Sequence, residues 1–69
     1  MNNNQFDLDS IELMYTSGLC AVVENIFKLI QTEIKKGNPV KVFRKSSDYE
    51  TTINNLEELE PIYTSIIKR

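Results

Sequence analysis

The chain has no histidine, no tryptophan and a single cysteine, Cys20, among its 69 residues. One cysteine excludes an intrachain disulfide. One cysteine without histidine also leaves no ligand set for a structural zinc. A lone thiol suits a reducing compartment. Glycine and proline are scarce, with two of each, so the backbone is punctuated at few places. Long apolar runs are missing too. The longest, 19–23, ends at Glu24 and is far short of the roughly 20 residues of a membrane span. The polar start Met-Asn-Asn-Asn-Gln has neither the basic start nor the apolar core of a secretory leader. These absences predict a soluble, intracellular protein with no cofactor and no metal. There is no glycine-rich phosphate loop, no Ser/His/Asp set and no Cys/His pair, so the reading is not an enzyme. Glu57, Glu58 and Glu60 fall in the first turn of an expected helix, where the helix dipole favours carboxylates.

What the chain does have is amphipathic order. Ile11, Tyr15, Leu19, Val22, Ile26, Leu29 and Ile30 recur at three- and four-residue steps. This predicts one helix over 9–36, about 39 Å long at about 1.5 Å per residue. Asp9 or Ser10 is the expected N-cap. Gly18 falls inside this helix, where it costs about 1 kcal/mol against alanine and marks a bend or a close approach. Lys35 and Lys36 suit the helix end, and Gly37 followed by Pro39 terminates it. Residues 1–8 are expected to form a flexible arm, although Phe6 and Leu8 give it something to bury.

Beyond Pro39 the pattern switches to alternation. Residues 40–45 and 49–53 are β-branched or aromatic at alternate positions, and Ser46-Ser47-Asp48 between them is turn chemistry. They predict an antiparallel hairpin packed on the helix. Asn54 or Asn55 caps a last helix, since Glu57 and Glu58 stand at capping-box distance. Leu56, Leu59, Ile62, Tyr63, Ile66 and Ile67 give its apolar stripe, and Pro61 should kink it. The expected fold is therefore α+β, a single α-β-β-α domain over 9–69. Its expected core is Leu19, Val22, Ile26 and Ile30 against Val42, Leu59 and Ile66.

The net charge of −2 is distributed in blocks. Acids dominate before residue 35. Lys35, Lys36, Lys41, Arg44 and Lys45 follow with no acid among them. Asp48, Glu50, Glu57, Glu58 and Glu60 come next with no base among them. Lys41, Arg44 and Lys45 are the candidate basic contact patch. The acidic blocks on either side oppose tight DNA binding, and such alternation suits steering toward a protein partner. Leu13, Cys20, Phe27 and Ile34 repeat every seven residues, off the central stripe. They are the candidate partner interface, because a chain this short has little left to cover them.

The succession of Lys36-Gly37 closing a helix, a hairpin over 40–53 containing Glu50 and Thr52, and a closing helix with Leu56, Leu59, Ile62 and Ile66 resembles one known family. It is the small head–tail joining protein of lambda-like phages, often called W. The resemblance covers roughly residues 30–67. It implies a non-enzymatic assembly protein that forms a ring of copies at the portal vertex and presents a surface to the tail. The first helix expected here is longer than the family's, and no polar tail follows the last helix. The alternative reading is a small phage or mobile-element inhibitor that binds and blocks a host protein. A DNA-binding regulator is the third.

Overall fold

The structure, a computed structural model, describes residues 5–67. It is a mixed α+β fold of three helices and a three-stranded sheet. The order is β1 (Gln5–Asp7), α1 (Leu8–Thr16), α2 (Cys20–Lys35), β2 (Val40–Arg44), β3 (Tyr49–Ile53) and α3 (Leu56–Ile66). The expected helix–strand–strand–helix order holds from α2 onward, and a strand and a helix precede it.

The long helix expected over 9–36 is two helices. Gly18 breaks it, with φ of +93°, a conformation that residues with a Cβ adopt at a cost. The Gly18 N–H donates to the Tyr15 carbonyl at 3.1 Å, and the Leu19 N–H donates to the Met14 carbonyl at 2.9 Å. Gly37, with φ of +90°, does the same at the end of α2. Its N–H donates to Ile34 and the Asn38 N–H to Glu33, both at 2.9 Å. Both glycines thus occupy the left-handed position of the same helix-ending motif. A Cβ at Gly18 would meet no atom within 4 Å, so only the backbone resists it. Gly18→Ala should lower stability by about 1–2 kcal/mol through the left-handed strain. In a continuous helix the same change would raise stability by about 1 kcal/mol. The sign of the shift in urea midpoint therefore tests the break.

Residues 1–4 of the expected flexible arm lie outside the described residues. Its remainder is structured. β1 pairs in parallel with β2, with Gln5 opposite Lys41, Phe6 opposite Val42 and Asp7 opposite Phe43. Asp7 ends the strand and caps α1, accepting from the Asp9 N–H at 3.0 Å and the Ser10 N–H at 3.5 Å. The cap is therefore neither Asp9 nor Ser10. At α3 Asn55 is the cap as expected, and the return half of the expected box falls one residue earlier, on Asn54. The Asn55 carboxamide oxygen accepts from the Glu58 N–H at 3.0 Å, and the Glu58 carboxylate accepts from the Asn54 N–H at 2.9 Å. Pro61 lies inside α3 without ending it.

β2 is the central strand, with β1 on one side and β3 antiparallel on the other. The β2–β3 register sets Val40 opposite Ile53, Val42 opposite Thr51 and Arg44 opposite Tyr49. Because side chains alternate along a strand, Phe6, Val40, Val42, Thr51 and Ile53 share one face. The helices cover that face. Leu8 and Ile11 of α1, Val23, Phe27, Ile30 and Ile34 of α2, and Leu59 and Ile66 of α3 are buried there with Val40, Val42, Ile53 and Ile67. Gln5, Lys41, Phe43, Glu50 and Thr52 point to the other face, and none of them is buried.

The core therefore differs from the expected one along α2. Ile30, Val42, Leu59 and Ile66 are buried as expected. Ile26 is half-buried, and Leu19 and Val22 are 47% and 44% exposed. The break at Gly18 frees α2 to turn about its own axis. Val23, Phe27, Ile30 and Ile34 also follow helical spacing, and they carry the larger apolar volume inward. The Phe27 ring meets Tyr63 of α3 edge-on, with centroids 5.1 Å apart and planes at 81°.

Candidate interaction surface

Turning α2 this way leaves a second stripe that is exposed at Leu19, Val22 and Leu29 and half-buried at Ile26, which packs on the edge of the core. Leu19, Val22, Ile26 and Leu29 stand three, four and three residues apart, the spacing of a helix-pairing seam. Leu29 is 61% exposed. The seam carries no charge over its length of about 15 Å. Val23 and Phe27, on the adjoining face of the helix, anchor it in the core, so the stripe is rigidly presented.

The candidate interface Leu13, Cys20, Phe27 and Ile34 does not form one surface. Phe27 and Ile34 are buried in the core. Leu13 on α1 is 68% exposed, and Cys20 is exposed at the start of α2. Their seven-residue spacing described a single helix, and the helix is interrupted between Leu13 and Cys20. Past the break, the line through Phe27 and Ile34 is the core face itself.

The candidate basic patch is also dispersed. The Lys41 ammonium lies 2.9 Å from the Glu50 carboxylate on the open face of the sheet. Arg44 turns to the helical face and donates to Asp9 at 3.0 Å and Glu12 at 2.7 Å. Asp9 further accepts from the Ser46 N–H at 2.9 Å and its hydroxyl at 3.2 Å. The Ser46 amide, helped by that hydroxyl and by Arg44, holds the Asp9 carboxyl below its usual range against the opposing effect of partial burial. The Glu12 carboxylate, with Asp9, holds the Arg44 guanidinium above its usual range. This cluster ties α1 to the β2–β3 turn. Lys45 extends from the hairpin turn as an exposed cation.

A groove of about 370 Å³ runs between β3 and α3, lined by Tyr49, Thr51, Ile53, Glu58, Pro61 and Ile62 among others. Among the described residues there is no cluster of groups that could hold a metal ion, and no helix is long and apolar enough to cross a membrane. Among them, too, no buried side-chain polar atom lacks a partner. No protein-family model matches the chain, and neither a curated protein nor a solved structure is significantly similar to it.

Proposed function

We propose that this chain is a non-enzymatic assembly module that pairs with a second copy of itself through the α2 seam. The observation that carries this reading is the uncharged stripe of Leu19, Val22, Ile26 and Leu29, exposed at all but the half-buried Ile26. The stripe is self-complementary. Two antiparallel copies of α2 set Leu19 against Leu29 and Val22 against Ile26, and leave Glu33 outside the contact. A two-fold contact must bring a patch onto itself without opposing like charges, and this one does. A seam this short buries less than the roughly 1,000 Å² of a stable interface, so pairing is weak and depends on local concentration. That suits a protein gathered at high density on a larger structure. Phage head–tail joining is such a setting, and it is the specific role that the resemblance over 30–67 implies.

The helix pair α1–α2 with its glycine-bearing turn has the outline of a helix-turn-helix. Its second helix would present Leu19, Val22 and Leu29 to a duplex, where such helices carry groups that read bases and phosphates. Lys41 and Arg44 are engaged with carboxylates. Both features favour a protein partner over nucleic acid.

Sedimentation equilibrium over a concentration series tests the seam. The wild-type mass should rise with concentration. Val22→Asp and Leu29→Glu should each reduce that rise while the far-ultraviolet circular dichroism stays unchanged. A wild-type mass independent of concentration, or variants that associate like the wild type, would remove the self-pairing role. A stable monomer that captures one host protein in a tight one-to-one complex would favour the inhibitor reading.

A further inference from the structure

β3 is an edge strand, and little guards it. Natural edge strands are commonly blunted by proline, lysine, a bulge or extreme shortness. β3 has five residues, Tyr-Glu-Thr-Thr-Ile, with no proline and no lysine. Its pairing with β2 runs without a bulge. Its one charge, Glu50, is already matched by Lys41 at 2.9 Å. The opposite edge is different, since β1 is only three residues long.

We propose that the free edge of β3 pairs antiparallel with β3 of a second copy, joining two sheets into one of six strands. The strand is complementary to itself about Thr51. In that register all five residues pair. Tyr49 meets Ile53 of the other copy, Glu50 meets Thr52 and Thr51 meets Thr51. An aromatic with a β-branched side chain and threonine with threonine are favourable cross-strand pairs. No carboxylate faces a carboxylate. Alternation is preserved as well, because Tyr49, Thr51 and Ile53 all belong to the helical face in both copies. The helices of the two copies then lie on the same side of the joined sheet. Tyr49, 42% exposed, enters the groove between β3 and α3 of the other copy, beside Ile53, Pro61 and Ile62. This contact uses none of the residues of the α2 seam, so it stands or falls separately from the reading above.

The experiment isolates this contact in a Val22→Asp background, which removes the α2 seam. Sedimentation equilibrium should show this chain as a concentration-dependent dimer. Adding Thr52→Glu sets carboxylates opposite Glu50 at two symmetric positions and should weaken the dimer roughly ten-fold. Adding Glu50→Lys as well restores opposite charges across the junction, keeps a carboxylate opposite Lys41, and should restore the dimer. Both positions are exposed, and circular dichroism checks that each variant is folded. A Val22→Asp chain that remains monomeric at millimolar concentration overturns the β3 contact and leaves the edge to an extended segment of another protein. A dimer indifferent to Thr52→Glu, or one that Glu50→Lys fails to restore, overturns it too.

Discussion

Phe27→Asp should abolish the folded state. Phe27 is 1% exposed at the centre of α2, with Tyr63 edge-on against its ring at 5.1 Å. Truncating a buried aromatic to alanine costs about 3–5 kcal/mol. Placing an unpaired carboxylate in the same space costs more. A chain of 69 residues has roughly 3–10 kcal/mol of total stability to lose. The expected result is no cooperative thermal transition and a spectrum without helix. Val22→Asp, on the same helix but outside, should melt cooperatively near the wild-type temperature. Phe27→Asp with a wild-type transition would return Phe27 to the surface and with it the seven-residue line through Leu13 and Cys20.

Leu8→Ala should cost about 2–5 kcal/mol, as large-to-small core changes do. Leu8 is the first residue of α1 and only 2% exposed. It lies where the strand β1 turns into the helix, so its loss leaves a void beneath the β1–β2 pairing. The urea midpoint should fall by a large fraction of its wild-type value with little change in slope. An unchanged midpoint would mean that this end of the chain contributes nothing to the core.

The parts of the fold legible in the sequence are those whose partners are close along the chain. The β2–β3 hairpin joins residues 5 to 13 apart, and the turn between them carries turn-forming residues. Asn55 caps the Glu58 N–H and Glu58 reaches back to the Asn54 N–H within five residues. Gly37 could be recognised as a helix end because Pro39 follows and the apolar period stops. Gly18 does the same work with no such marker. Leu19 and Val22 continue the period of Ile11 and Tyr15 in phase, and this hides the break. Once the helix is divided, two stripes on α2 compete for the core, and periodicity alone does not rank them. Packing does, because Phe27 fills more volume than Leu19 or Val22. β1 is too short for alternation to register. The ion pairs of Arg44 with Asp9 and Glu12 span 35 and 32 residues, and no local pattern announces them. The same periodicity therefore marks Leu19 and Val22 as core although they lie largely outside, and marks Phe27 and Ile34 as surface although they are buried.

The parallel pairing of β1 with β2 also bears on how the chain folds. Gln5 and Lys41, like the other pairs of that ladder, are 36 residues apart. Their pairing closes a loop that holds both α1 and α2, and the entropy of that closure must be met before the ladder returns anything. The β2–β3 hairpin closes a far shorter loop. The hairpin and α2 are thus placed to form the early nucleus. β1 then docks onto an edge of β2 that stays open until the crossover is complete. Until then one edge of β2 is open, which makes the slowest-formed strand also the one that shields the central strand from foreign pairing.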